Sequence, residues 1–198
     1  MDKFSYAIGL GIGQNLLSMG TKGIEVDDFA QAIKDILEGN KTAISHAEAR
    51  DIVNKYFAEL EEKMNAASIE QGVQFLEENK KRPNVVTLSS GLQYEVINEG
   101  KVGTYAKATD QVKCHYEGTL IDGTLFDSSI KRGQPAVFGV NQVIPGWVEA
   151  LQLMPEGAKW KLYIPSDLAY GAQGAGEMIP PHSTLIFEVE LLEILSQK

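Results

Sequence analysis

Residues 1–82 carry apolar side chains at helical spacing and predict three helices. The first is predicted from apolar positions three or four residues apart: Phe4, Ile8, Ile12, Leu16 and Leu17. Gly20 is typical of the residue that ends such a helix. The second helix is predicted to open at Asp27 or Asp28 and to end at Gly39. This half of the chain is therefore predicted to be helical throughout.

The third predicted helix is unusually long. It begins at Ser45, because Ser45-x-x-Glu48 is a capping box. Its apolar stripe continues to about Phe75 through Ile52, Val53, Tyr56, Phe57, Leu60, Met64 and Ala67. No proline precedes Pro83, so the helix is predicted over about 45–81, which is roughly 55 Å at about 1.5 Å per residue. Such a helix must act as a strut, pair with another chain, or both.

From about residue 85 the period of the pattern changes from helical to two, which is typical of strands. The alternation is clearest in three segments: 112–117, 159–164 and 185–191. In the middle segment, Trp160, Leu162 and Ile164 are predicted to face inward, and Tyr163 is grouped with the outward-facing lysines. Asp122-Gly123 is a two-residue hairpin turn between two further strands.

Helical spacing returns only briefly in this half, at Trp147, Ala150 and Leu151. The fold class predicted for it is α+β, an antiparallel sheet folded over one short helix and preceded by the all-α arm. The domain boundary is predicted at Pro83. Residues 1–83 then form a helical domain that includes the long linking helix, and residues 84–198 form the second domain.

Composition narrows the function more than the fold. The chain has 198 residues, 43% of them hydrophobic, and a formal net charge of −9, which argues against nucleic-acid binding because no basic patch is present. No apolar run approaches the roughly 20 residues of a membrane span. The N-terminus does not have the pattern of a secretory signal, so a cytoplasmic protein is predicted if Met1 is the native start. If a signal peptide has been removed, the prediction is periplasmic.

Motifs for cofactor, metal or covalent chemistry are missing from the sequence. Gly9, Gly11 and Gly13 have the wrong spacing for a dinucleotide fingerprint; they predict either a close helix–helix approach or a helix start that tolerates glycine. The three histidines lie in separate elements, so neither a zinc site nor any other cofactor is predicted. Cys114, the single cysteine, is predicted to be an inert core thiol. An enzyme of this kind must stabilise a transition state without covalent bonds.

Five motifs in the second half together resemble the FKBP family of peptidyl-prolyl isomerases, the tacrolimus- and rapamycin-binding fold. They are His115-Tyr116-x-Gly118, Gly123-x-x-Phe126-Asp127-Ser128-Ser129, Val143-Ile144-x-Gly146-Trp147, Ala169-Tyr170-Gly171 and Ile179-Pro180-Pro181-His182-x-Thr184-Leu185-x-Phe187. The resemblance implies a bent five-stranded antiparallel sheet wrapped on a short helix. It also implies isomerisation of X–Pro bonds in proline-containing, unfolded or partly folded polypeptides, and binding of macrolides such as tacrolimus or rapamycin.

The resemblance also implies site residues. Those expected to be catalytic are Asp127, Tyr170, Trp147 and Phe126, and those expected to bind substrate are Tyr116, Arg132, Phe138, Val143, Ile144, Met178, Ile179 and Phe187. Ala136 and Ala175 depart from the best-known eukaryotic members, which carry an aromatic and a histidine there. From the residues alone, the aromatics could be ordinary core, and Asp127 could contact substrate or mainly order Tyr116 and Arg132.

Residues 1–83 resemble the dimerisation arm of the bacterial Mip- and FklB-type members, on Ser5-Tyr6-x-Ile8-Gly9 and the long third helix. That resemblance implies a homodimer and chaperone activity. Two functions remain open: an isomerase with a chaperone-like dimer, or a binding module that grips proline-containing chains without useful turnover. The isomerase is favoured because the aromatic residues and Asp127 are retained.

Overall fold

The computed structural model describes residues 1–195, which divide into two compact units. The first comprises Met1–Ala58 and the second begins at Glu59. The division falls inside the long helix, because its second half packs on the sheet that follows. The domain boundary predicted at Pro83 stays a prediction about which segment folds alone.

The first unit contains α1 (Lys3–Ser18), α2 (Val26–Glu38) and the beginning of α3 (His46–Asn79). The predicted end of α2 and the predicted start of α3 are confirmed, whereas α2 begins at Val26 rather than at Asp27 or Asp28, and α3 ends at Asn79 rather than near residue 81. Gly39 caps α2 in the left-handed conformation with φ of 71°, and the Glu48 N–H donates to Ser45 Oγ at 3.2 Å at the start of α3. The Lys22 N–H donates to Tyr56 Oη at 3.1 Å, which fastens the α1–α2 connection to α3.

The first unit has no interior of its own. No residue between Met1 and Ala58 is buried, and all of them are described. Large apolar side chains of α1 and α2 are instead in solvent, with Phe4 75% and Leu37 81% exposed. The apolar stripes predicted from the sequence exist, but within one chain they lack a covering surface.

The second unit is a sheet against which one short helix and the second half of α3 pack. Its strands are β1 (Val85–Thr87), β2 (Gln93–Asn98), β3 (Lys101–Tyr105), β4 (Gln111–Leu120), β5 (Leu125–Ser128), β6 (Ala136–Gly139), β7 (Pro155–Glu156), β8 (Lys159–Ile164) and β9 (Leu185–Leu195), and its helix is α4 (Pro145–Leu153). The main sheet runs β1-β2-β8-β9-β4-β5, β6 also pairs with β4, and β3 pairs separately with β7. All pairings are antiparallel.

The predicted α+β fold class is confirmed, although the main sheet has seven hydrogen-bonded strands where the resemblance implied five. Two features account for the difference. β5 and β6 both pair with β4 and act as one strand interrupted by residues 129–135. The three-residue β1 extends the opposite edge. A hairpin turn is present where Asp122-Gly123 predicted one, but its loop has three residues, 121–123, rather than two. The Leu120 N–H donates to the Thr124 carbonyl at 2.9 Å, and the Gly123 N–H donates to the Leu120 carbonyl at 3.0 Å.

The core lies between the sheet and α4, as the alternation predicted. Trp160, Leu162 and Ile164 of β8 are buried. Tyr163, predicted to face outward with the lysines, is also buried. The reason is α3, since the Phe75 ring lies 6.0 Å from the Tyr163 ring and covers the outer face of the sheet there.

Besides Phe75, at the end of the predicted apolar stripe, the second half of α3 binds the sheet through small and polar residues that lie outside that stripe. Gly72 and Asn79 are its buried residues, whereas Met64 is 60% exposed. Asn79 Nδ2 donates to Gln93 Oε1 at 2.9 Å. Gln93 Nε2 in turn donates to the Leu76 carbonyl at 2.9 Å, so the end of α3 is fastened to β2.

Candidate active site

A cavity of about 450 Å³ opens between α4 and the strands on either side of β4. It is lined by Tyr116, Phe126, Asp127, Phe138, Gln142, Val143, Ile144, Trp147, Tyr170 and Phe187. Most of the site residues inferred from the sequence are therefore brought together. They come from β4, β5, β6, α4, β9 and the segments that precede α4 and follow β8.

Trp147 lies deepest in this group, in the first turn of α4, and is 4% exposed. Three aromatic rings meet its indole nearly at right angles, with ring centroids 5.3 Å away for Tyr116 and Phe187 and 5.6 Å for Phe138. Edge-to-face contacts of this kind are favourable because the positive ring edge meets the negative ring face. The indole is consequently held in one orientation by its neighbours.

Two glycines allow these rings to come together. A Cβ on Gly118 of β4 would lie 2.6 Å from the Phe126 ring and 2.7 Å from the Phe187 ring. A Cβ on Gly146 would lie 2.6 Å from Ile164 Cγ2 and would push the start of α4 off β8. The glycine positions of the sequence motifs thus have a steric cause.

Asp127, the charged side chain among the cavity-lining residues named above, is bound on both of its oxygens. Tyr116 Oη donates to Asp127 Oδ2 at 2.5 Å, and Arg132 forms an ion pair with Asp127 Oδ1. Arg132 Nη2 also donates to Tyr116 Oη at 2.8 Å. The three groups form a closed triangle, so Asp127 orients Tyr116 and neutralises Arg132 at the edge of an otherwise apolar wall.

The triangle controls how its members ionise. Partial burial acts to raise the pKa of Asp127, but the hydrogen bonds from Tyr116 and Arg132 and the Arg132 charge outweigh it and lower the pKa. Burial raises the pKa of Tyr116, and the hydrogen bond to Asp127 adds to that rise. Asp127 is therefore a carboxylate and Tyr116 a neutral phenol at neutral pH.

The backbone of Tyr116 is fixed by Ser129, which is fully buried. The Tyr116 N–H donates to Ser129 Oγ at 2.8 Å, and the Ser129 N–H donates to the Tyr116 carbonyl at 2.9 Å. His115 Nδ1 lies 3.0 Å from the same hydroxyl. These bonds join β4 to the residue after β5, which explains the second of the two serines that follow Asp127.

Tyr170 and Ile144 provide the polar groups on the other side of the cavity. Tyr170 is 39% exposed, and its pKa is raised by burial and then by the negative charge of Asp127. Among the described residues, neither the Tyr170 hydroxyl nor the Ile144 N–H has a hydrogen-bond partner. Both donors are therefore available to a ligand.

Three of the residues inferred from the sequence do not line the cavity. Arg132 lies behind Asp127, with which it forms the ion pair described above. Ile179 is buried and forms a backbone bridge with Ala175, and Met178 is 49% exposed. Conversely, Gln142 lines the cavity and was not among the inferred residues. Its position directly before the Val143-Ile144 motif was the available signal. Ala136, one of the two departures from the eukaryotic pattern, pairs with Cys114 in the sheet.

Residues 1–195 contain no group of three or more potential ligands that could hold a metal ion. Within the same residues, no helix combines the length and apolar character of a membrane span. Cys114 is fully buried, and burial raises its pKa to about 12, so it is the inert core thiol that was predicted. The geometry defines a ligand site made of aromatic rings and a few fixed donors.

This fold and site define the FKBP class of peptidyl-prolyl isomerase. Residues 103–192 match the sequence family described as FKBP-type peptidyl-prolyl cis-trans isomerase. Residues 1–96 match the family described as the domain amino terminal to FKBP-type peptidyl-prolyl isomerase. The chain belongs to the FKBP-type peptidyl-prolyl cis-trans isomerase family and is an enzyme of that type.

Individual relatives agree with this assignment. The chain is 50% identical over 198 residues to the FKBP-type 22 kDa peptidyl-prolyl cis-trans isomerase of Escherichia coli, covering 96% of this chain and 94% of that protein. It is 42% identical to the outer membrane protein MIP of Legionella longbeachae, covering 98% and 85%. The crystal structure of FkpA from Escherichia coli matches with a TM-score of 0.80 at 35% identity, covering 98% of this chain and 95% of that one.

Proposed function

We propose that this isomerase rotates X–Pro bonds inside the cavity around Trp147, by non-covalent stabilisation of the twisted amide. The cavity wall is the observation that supports this proposal, because its aromatic and aliphatic side chains surround the carboxylate of Asp127, which Arg132 neutralises. Rotation about a peptide bond has a barrier of about 18–20 kcal/mol because conjugation is lost. Water stabilises the planar, more polar amide, so a site that excludes water favours the twisted form.

The roles of individual residues follow from their positions. Trp147 is the floor on which the proline ring rests, and Phe126 and Phe187 are its walls. The free Tyr170 hydroxyl and Ile144 N–H hold substrate carbonyls, as fixed donors that need no reorganisation during the reaction. Each tenfold gain in rate needs only about 1.4 kcal/mol, so a few such terms are sufficient.

Asp127 acts mainly through Tyr116 and Arg132 in this proposal. Both carboxylate oxygens already accept hydrogen bonds from these two residues. A substrate that bound Asp127 directly would have to compete with a charged guanidinium. The triangle instead keeps the Tyr116 ring in the edge-on contact that supports Trp147.

An NMR exchange assay on a short X–Pro peptide tests the proposal. Exchange between the cis and trans peptide signals is expected to accelerate with enzyme concentration, and rapamycin is expected to suppress the acceleration by filling the same cavity. Peptide binding without faster exchange would establish the alternative, a binding module. Calorimetric titration with rapamycin at micromolar protein measures macrolide binding separately, and no binding would mean that the cavity is blocked.

We further propose that the protein is a homodimer through residues 1–83. The observation that supports it is the first unit, in which no residue is buried although α1 and α2 expose an apolar face. Ordering such a segment costs conformational entropy that needs buried apolar surface to offset it. Gly9 and Gly13 have nothing within 4 Å of a Cβ, so a second copy of α1 has room to approach their face. Sedimentation as a 21.7 kDa monomer at micromolar concentration would contradict the dimer.

Chaperone activity is the third part of the proposal. Two cavities in one dimer raise the effective concentration of binding sites for an unfolded client. The full chain is expected to speed the refolding of a whole protein more than residues 59–198 do, while both act equally on a short peptide.

For location we favour the periplasmic alternative over the cytoplasmic one, since a relative is named an outer membrane protein. Fractionation of the source cells decides between them.

A further inference from the structure

The second half of α3 approaches the site at a point that the reaction itself does not use. Gly72 is buried there against Thr184, which directly precedes β9. A Cβ on Gly72 would lie 2.5 Å from Thr184 Oγ1 and 3.4 Å from Thr184 Cβ. Glycine inside a helix is less favourable than alanine. The close approach of Thr184 explains why position 72 is nevertheless a glycine.

Thr184 is the last residue of the segment 170–184, which we call the rim loop. The rim loop is held together by its own backbone hydrogen bonds. Ala175 and Ile179 exchange two of them, at 2.9 and 3.1 Å, and the His182 N–H donates to the Gly171 carbonyl at 2.8 Å. His182 has a φ of 58°, in the left-handed region that is costly for a residue with a side chain. These hydrogen bonds link the part of the loop near Tyr170 to the part near Thr184.

Both ends of the rim loop adjoin the cavity. Tyr170, at its start, lines the cavity. Phe187 lines it too and lies on β9, three residues beyond Thr184. A shift at Thr184 would therefore be passed along the loop to the Tyr170 side of the cavity.

The α3 contact is wider than one glycine. Ser68 and Gln71 of α3 share a small cleft of about 180 Å³ with Asp122 of the hairpin and with Pro180 and Thr184. The helix is itself anchored further along, where Asn79 donates to Gln93 at 2.9 Å. A helix fixed at Asn79 thus presents a rigid backbone to the base of the rim loop.

We propose that Gly72 is a positioning residue for the isomerase: the α3 backbone at this glycine supports Thr184 and so sets the place of the rim loop, with Tyr170, at the mouth of the cavity. The inference rests on the proposed use of the cavity around Trp147 as the substrate site. Gly72 touches neither the cavity nor the reacting bond, and it acts through Thr184.

The test uses the full chain and a short X–Pro peptide. Gly72→Ala is expected to raise KM about three- to tenfold while kcat changes less, because the displaced loop presents Tyr170 poorly to substrate. The backbone amide signals of Gly171 and Ile179 are expected to shift in the same variant. Gln74→Ala, an exposed position on the same helix, is the matched control and should leave both measurements unchanged.

A second substitution separates the contact from general damage. Thr184→Ala removes Oγ1, the atom that would lie 2.5 Å from an alanine Cβ at position 72, and keeps Cβ at 3.4 Å, so the double variant should return KM to within about twofold of the wild type. A folded double variant with the KM of Gly72→Ala, or an unchanged KM in Gly72→Ala, would overturn the inference. If Gly72→Ala does not fold, Thr184→Ala alone decides: it should raise KM, and an unchanged KM refutes the positioning role. A wild type without activity would refute the proposed function instead.

Discussion

The two units of this chain differ in how far their large apolar side chains are exposed to solvent. In the second unit, Trp147, Leu162 and Leu185 belong to a core that is closed within one chain. In the first unit, equally apolar residues such as Phe4 and Leu37 remain mostly exposed. A cavity that must exclude water needs walls fixed by a closed core, whereas the exposed apolar helices of the first unit are the surface that the proposed dimer would cover. On that proposal, catalysis belongs to the second unit and assembly to the first.

Removal of the cavity floor should have the largest effect. Trp147→Ala deletes a buried ring that three others contact, and the expected loss in unfolding free energy is about 3–5 kcal/mol. The chain has two tryptophans, so in this variant the fluorescence of Trp160 reports the second unit alone during urea denaturation. Val102→Ala, at a side chain 79% exposed in β3, is the control and should cost less than about 0.5 kcal/mol. Equal losses in the two variants would mean that the core is not closed as described.

A charge placed on the arm should have the next largest effect. Ile8 of α1 is 51% exposed, and Ile8→Asp would bury a carboxylate wherever a second chain covers that face. The dimer dissociation constant is expected to rise about 100-fold, or roughly 2.7 kcal/mol, as measured by sedimentation equilibrium. Val102→Asp puts the same charge on an exposed apolar position of the second unit and should leave the mass unchanged. A dimer that survives Ile8→Asp at an unaltered dissociation constant places the interface elsewhere.

The same contrast shows how far sequence reasoning reaches. Local rules were sufficient for the Ser45 cap, the Gly39 stop and the position of the Asp122-Gly123 turn, because each depends on a few neighbouring residues. The family resemblance located the cavity residues that motifs carry, including Tyr116 and Asp127. It could not separate residues that line the cavity from those beside it, which depends on side-chain direction.

Contacts made by small or polar residues were the part that the pattern missed. The helical stripe predicted an apolar contact face for α3, but Gly72 and Asn79 are the residues that the sheet buries. Tyr163 was predicted to face outward, because nothing in its own strand indicates that Phe75 of α3 covers it. Hydrophobic periodicity gives no signal for a glycine that allows close approach, such as Gly72, or for an amide that forms a hydrogen bond, such as Asn79.

A smaller effect is expected at the polar edge of the cavity. Asp127→Ala should lower turnover about tenfold, or roughly 1.4 kcal/mol of transition-state free energy, because Tyr116 and Arg132 lose their common acceptor. The fold should remain intact, as judged by urea denaturation followed through the fluorescence of Trp147 and Trp160. Glu99→Ala removes another carboxylate, at an exposed position directly after β2, and should leave peptide exchange unchanged. Full activity in Asp127→Ala would show that the triangle has no part in catalysis.

The smallest effect is expected from pH, and it distinguishes a non-covalent site from one that moves protons. The pKa of Asp127 is lowered, so its contribution to stability is present above the ordinary carboxyl value of about 3.9 and is lost as pH falls through the lower folded value. The pKa of Tyr116 is raised, so the neutral phenol contributes below about pH 10, and that contribution is lost as pH rises through the higher folded value. Neither group titrates between these limits, and peptide exchange should vary less than about twofold between about pH 5 and 9.

The unfolding free energies of wild type and Asp127→Asn should converge as pH falls below about 4. A step in the exchange rate near neutral pH that Asp127→Asn removes would mean that Asp127 carries a proton during turnover; a step that persists in this variant belongs to another group.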